Sequence, residues 1–395
     1  MQRSGATRGD PTEWVMEHSA MERDRGRTAV LLGAMEATAT APARRTRLTG
    51  AMFAGALAAL ALWAAPAGAS TLIVEGAGDG HGVGMSQDGA LGYAEHGWSD
   101  AAILAHYYAG TTLGRASASA NVKVLEGSKV VAVPLERYVR GVVAAEMPSG
   151  WPAAALEAQA IASRTYALTD HAGGARFDVY SDTRSQMYES PPTPAAETAT
   201  TNAAVAATAG QIVLYQGKPA ITYYFASSGG MTEDNENSFL GSEPEPWLRG
   251  VPDSYETKAS SWKLSIGFAS AAARLRGLVK GSFRGIEVLG RGVSPRIVAA
   301  EVLGSRGASP VSGPELAARL ALTSTWAYFS VKSGASVRRE PDVSGQPPFA
   351  PLAPESAPAT PAPVPAPAPS TGPQGGAQAP ATVASTSATG GAQAE

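Results

Sequence analysis

PLERYVRGVVAAEMPSGWPAAALEAQAIASRTYAL, residues 134 to 168, decides how the chain is read. Leu135, Tyr138, Val139, Val142 and Val143 recur at the spacing of a helix with one apolar stripe. Pro134 suits a first helical turn, where no N–H is needed. Pro148 holds Met147 out of the helical region, so the helix should stop near Glu146. Trp151-Pro152 then turns the chain into a second helix over residues 153 to 168. One carboxylate therefore stands at the joint between two apolar helices.

Ionising Glu146 there is disfavoured twice. The negative end of the helix dipole opposes a carboxylate, and apolar neighbours oppose it by desolvation. Both effects raise the pKa, which suits a general acid near neutral pH. The other reading is a solvated residue at a helix end, and the local sequence leaves both open. On the second helix Gln159, Ser163 and Tyr166 are candidates for a polar side, Arg164 is placed to pair with an acid, and Trp151 offers either packing or a platform for a sugar ring.

Outward from this segment, strand and helix signals alternate. TLIVEG (71–76) reads as a strand, GDGHGVGMSQDG (78–89) as a glycine-dense loop and ALGYAEHG (90–97) as a helix with a glycine stop. Ser99 caps DAAILAHYYAG, and NVKVLEGSKVVAVP (121–134) reads as a hairpin about Glu126-Gly127. QIVLYQG, AITYYFASSGG, FRGIEVLG, RIVAAEVLG and WAYFSVK are strand-like. The expected fold is one α+β domain over residues 70 to 335, with helices packed on mostly antiparallel sheet.

The flanks differ. Residues 43 to 50 are basic, 51 to 65 are apolar, and Ala67-Gly68-Ala69 supplies the small residues of a cleavage site. Residues 44 to 69 thus read as a secretory signal peptide, with an uncleaved anchor as the alternative, although the run is shorter than the ~20 residues of a spanning helix. Arg44-Arg45 hints at a twin-arginine route. Residues 1 to 43 form an N-terminal extension, which a start at Met35 would make a gene-start artefact. Residues 336 to 395 are rich in Pro, Ala, Gly and Ser and read as a disordered tail. These readings place the protein outside the cytoplasm, secreted or in the cell envelope. The net charge of -3 over 395 residues gives no footing for nucleic acid. The absence of Cys excludes disulfides and thiolate metal sites.

Three more loops carry polar groups. His81 lies among alternating glycines, as a ligand-facing donor or a structural histidine; no dinucleotide register fits. Ser227, Ser228 and Thr232 lie in FASSGGMTEDNENS (225–238), a strand-end site for a polar ligand or a plain polar turn. Gln186 and Tyr188 lie in FDVYSDTRSQMY (177–188).

VPLERYVRGVVAAEMPSGWPAAALEAQAIASRTYAL, GHGVGMSQDGALGYAEHGWSDAAILAHYYAGTTL, YYFASSGGMTEDNEN and PELAARLALTSTWAYF resemble the signature blocks of the SpoIID/LytB family. The resemblance implies an exported peptidoglycan lytic transglycosylase acting on glycan strands stripped of stem peptides. It puts the catalytic acid on Glu146. The candidate substrate-binding residues are His81, Ser86, Gln87, Trp151, Gln159, Arg164, Gln186, Tyr188, Ser227, Ser228 and Thr232. A single-carboxyl mechanism is implied, in which the C6 hydroxyl of N-acetylmuramic acid closes a 1,6-anhydro ring.

Two departures from the family pattern carry expectations. The GHGVGMSQ block, usually late in the domain, here precedes AEMP, as in a circular permutation; TLIVEG should then lie beside WAYFSVK and bring His81 to the Glu146 cleft. Some members bind zinc where this chain has Tyr180, Arg184 and Ser185, none a usual zinc ligand, so no cofactor is expected. The alternative function implied by the LytB branch is a non-catalytic peptidoglycan-binding partner that stimulates an amidase. A third is a structural protein displaying its tail through the wall.

Overall fold

The computed structural model describes residues 70–188, 197–256, 260–334, 336–342 and 344. In chain order the elements are β1 (Thr71–Ala77), β2 (Met85–Ser86), α1 (Gln87–Glu95), α2 (Asp100–Tyr107), β3 (Thr112–Arg115), β4 (Asn121–Glu126), β5 (Lys129–Pro134), α3 (Leu135–Glu146), α4 (Ala153–Thr169), β6 (Val179–Tyr180), α5 (Ala199–Ala207), β7 (Gln211–Tyr215), β8 (Lys218–Pro219), β9 (Tyr224–Phe225) and α6 (Asn235–Ser238). They continue with β10 (Ser261–Gly267), α7 (Phe268–Arg274), β11 (Phe283–Arg291), β12 (Ile297–Gly304), β13 (Gly307–Ser312), α8 (Gly313–Leu320), β14 (Ala327–Ser333) and β15 (Ser336–Arg339). The fold is α+β, and its strands pair antiparallel except for β2 with β9 and β4 with β6.

Two large hydrophobic cores form, with a small third cluster of Ala77, Trp326 and Tyr328. The helical core gathers α1 to α5 with the short sheets among them. Its centre is α4, a helix of Ala, Leu and Ile in which small side chains admit close neighbours on every side and 12 of 17 residues are buried. The five apolar residues of the α3 stripe all face this core, each contributing about 1.5–3 kcal/mol of burial. As the proline signals indicated, α3 ends at Glu146, and Met147 is extended (φ −127, ψ 140).

The second core joins the two ends of the described chain. β1 pairs antiparallel with both β10 and β14, Val74 opposite Leu264 and Phe329. Leu72 and Val74 are fully buried there with residues of β11 to β14, α7 and α8. TLIVEG therefore does lie beside WAYFSVK. β10 carries the apolar/polar alternation of a half-buried strand in SWKLSIG, which sequence reading passed over.

Three boundaries shift. Gln87 to Gly89, expected in the loop, open α1, because Ser86 Oγ accepts the Gly89 N–H at 3.1 Å as an N-cap. In AITYYFASSGG only Tyr224–Phe225 is strand. The tail expected from residue 336 starts later: β15 pairs with β14, and the Glu340 carboxylate accepts the Ile286 N–H at 3.1 Å. The signal-peptide reading, the N-terminal extension and the remainder of the tail lie outside the described residues. No helix among the described residues is long and apolar enough to cross a membrane.

Candidate functional site

Glu146 ends α3 half-buried, with two N–H donors on its carboxyl and a tyrosine hydroxyl close by. Gln87 Nε2 reaches Oε2 at 3.1 Å, the Met187 N–H reaches Oε1 at 2.7 Å, and Tyr224 Oη lies 3.4 Å from Oε1. Three separate segments supply them: the first turn of α1, the loop after β6, and β9. Burial raises the Glu146 pKa, while the Met187, Gln87 and Tyr224 donors pull it back. Desolvation wins, so the carboxyl holds its proton to higher pH than an ordinary glutamate; the Gln87 and Met187 donors stand ready for the ionised form, and Tyr224 divides its one hydroxyl proton between Gln186 and Glu146.

The donors are themselves oriented. Gln159 Oε1 lies 3.5 Å from Gln87 Nε2, and Gln159 Nε2 donates to Ser163 Oγ at 2.9 Å. Gln186 Nε2 donates to Tyr138 Oη at 3.0 Å, and its Oε1 accepts from Tyr224 Oη at 2.7 Å. Tyr188 is buried with its ring 4.7 Å from that of Tyr138. The chain thus brings Gln87, Gln159, Gln186 and Tyr188 together around Glu146.

The other candidates lie elsewhere. His81 does not complete this cluster; Gln87, which opens α1 directly after the glycine loop, is the residue that reaches Glu146. The His81 ring packs against Tyr223, Phe225 and Phe239, and its Nδ1 accepts the Val83 N–H at 3.0 Å. Burial, helped by the Arg296 guanidinium, pushes the imidazole down to about 3, so it is neutral at pH 7. Gly84, with φ 76, lets this loop pass β9: a Cβ would stand 2.1 Å from the Tyr223 carbonyl oxygen. Arg164 is fully buried in an ion pair with Glu136 at 2.8 Å and donates to the Gln211 carbonyl at 3.0 Å, the pairing its sequence position allowed. Trp151 is half-buried against the helical core.

The serine block serves a carboxylate of the same chain. Ser227 and Ser228 hydroxyls donate to Glu256, joined by the N–H groups of Ser228 at 3.0 Å and Gly229 at 3.1 Å. Ser86, besides capping α1, accepts the Ser228 N–H at 3.2 Å. Beside it Asp253 accepts from Tyr107 Oη at 3.0 Å; burial and the neighbouring Glu256 push Asp253 up to about 7. Thr232 exchanges hydrogen bonds with the Val251 backbone. Arg296, buried, donates to the carbonyls of Ser228 and Met231 and packs on Gly82, tying the serine and glycine loops to β12.

Sequence reading missed Tyr224, Tyr138 as a polar partner, and the Met187 amide. Tyr224 sits inside a quoted block but carries no local sign of its function. Tyr138 fell on the apolar stripe and was counted as core. A main-chain donor leaves no side-chain signal at all.

Residues 126–215 match the family described as Stage II sporulation protein, SpoIID. It is 31% identical over 153 residues to Stage II sporulation protein D of Bacillus subtilis (strain 168), covering 35% of this chain and 44% of that one. It is 38% identical over 120 residues to an uncharacterized protein of Brachyspira hyodysenteriae, covering 30% and 31%. An amidase enhancer of B. subtilis is 34% identical over 106 residues, 27% of this chain and 14% of that protein. The chain thus spans less than half the length of each of these three relatives.

Proposed function

We propose that the protein acts on the bacterial cell wall and cleaves peptidoglycan glycan strands between N-acetylmuramic acid and N-acetylglucosamine. The observation that carries this reading is the Glu146 carboxyl itself: raised in pKa by burial, yet served by Gln87 and Met187 as donors, with the Tyr224 hydroxyl beside them. Such a group can give a proton and then be held as the anion. Glu146 protonates the glycosidic oxygen as the bond to C1 breaks. Its carboxylate then takes the proton of the muramic acid C6 hydroxyl, whose oxygen bonds to C1. The proton returns to Glu146, no water is consumed, and the product end is a 1,6-anhydro sugar. Hydrolysis would instead call for a second carboxylate at a defined separation.

Glu146→Gln tests the reading. It removes the transferable proton with little change in shape, so strand cleavage should be lost while strand binding and melting temperature hold. Cleavage at the wild-type rate would move the acid elsewhere. The similarity to an amidase enhancer supports a second reading, a binding partner that stimulates an amidase. On that reading Glu146→Gln would leave stimulation of the amidase intact.

A further inference from the structure

The loop from β6 to Tyr188 delivers two of the site's groups, the Gln186 side chain and the Met187 N–H, and has no regular structure after Tyr180 to hold it. Side chains do the holding. Ser185 Oγ accepts the Tyr180 N–H at 3.1 Å and donates to Asp170 Oδ2 at 2.9 Å, so one hydroxyl links the end of β6 to the C-terminal cap of α4. Arg184 closes the turn. Its guanidinium pairs with both Asp182 oxygens at 2.8 Å and lies 3.8 Å over the Tyr180 ring. Met187 is two residues beyond Ser185, with Gln186 held between them on Tyr138 and Tyr224, so the anchoring of Ser185 acts on the Glu146 donor through this short segment.

A zinc ion, as the family resemblance implies for some members, does not fit these donors. A guanidinium cation occupies the face of Tyr180, where a dication would be repelled. Arg184 cannot ligate, and the Ser185 hydroxyl is committed to Tyr180 and Asp170. Among the described residues no group of three or more His, Cys, Asp or Glu is gathered to hold a metal.

We propose that Ser185, Arg184, Asp182 and Tyr180 form a metal-free staple that positions the Met187 amide on Glu146, with Ser185 as the principal positioning residue. The staple rests on Glu146 being the working carboxyl, but its tests read structure and not turnover. Loss of strand cleavage by the wild-type protein would therefore count against the lyase reading and leave the staple standing.

The test uses the full chain in three arms. Purified protein should hold no stoichiometric zinc, and neither a chelator nor added zinc should move its melting temperature. Ser185→Ala should speed amide exchange at Met187 by about tenfold or more and raise the Glu146 pKa, read by carboxyl NMR, by about one unit. Ser185→Thr, which keeps the hydroxyl, should restore both, and it stands in for the test should the alanine variant fail to fold. A melting temperature that falls with chelator and returns with zinc would overturn the proposal. So would wild-type Met187 exchange and Glu146 pKa in Ser185→Ala, or exchange in Ser185→Thr as fast as in an unstapled loop.

Discussion

Gln87 Nε2 lies 3.1 Å from Glu146 Oε2, joining the first turn of α1 to the last residue of α3. The contact spans 59 residues of sequence and makes the start of α1 part of the Glu146 site. Its consequence is a tuned carboxyl. Gln87 offers a hydrogen bond that favours the ionised form against burial that disfavours it.

Gln87→Leu should therefore raise the Glu146 pKa. A hydrogen bond to a charged group is worth about 1.5–3 kcal/mol, which corresponds to about one to two pKa units. The acidic form then persists to higher pH, so the alkaline limb of the pH–rate profile should move up while the maximum rate falls. An unmoved limb would remove Gln87 from the tuning.

Arg164 has a structural task. Its side chain is fully buried while that of its partner Glu136 is 38% exposed. Arg164→Ala strands Glu136 and the carbonyls Arg164 serves, and should cost about 3 kcal/mol, the low end for a broken buried pair given that exposure. Urea unfolding measures this. Loss of activity without loss of stability would give Arg164 a direct part in substrate binding.

Asp253 makes stability depend on pH. Its folded pKa of about 7 stands above its unfolded value of 3.8, so the native state binds the extra proton between those limits. Stability from this group is present below pH 3.8, declines as pH rises, and is gone above about 7. The slope is at most about 1.4 kcal/mol per pH unit. Asp253→Asn should flatten the stability profile between pH 5 and 7; an unchanged slope would assign it to another group.

Local chemistry carried much of this fold into the sequence. The stripe of α3, its proline-set ends and the 121–134 hairpin are short-range patterns and appear where the pattern puts them. The pairing of β1 with β14 followed from block order. What stayed hidden is non-local. Glu256 fills the donors of Ser227 and Ser228 from 28 residues away, and Arg296 reaches the same loop from 68 away, leaving no periodicity to read. His81 drew attention because histidine among glycines resembles a ligand, yet aromatic packing takes its ring. Gln87, an unremarkable amide by composition, takes the place at Glu146 because the Ser86 cap starts α1 there.

The most direct measurement is mass spectrometry of purified glycan strands, stripped of stem peptides, after incubation with the protein. New 1,6-anhydro-muramic ends, absent with Glu146→Gln, are the expected result. Strands that bind the wild-type protein and yield only reducing ends, or no new ends, would contradict the lyase assignment.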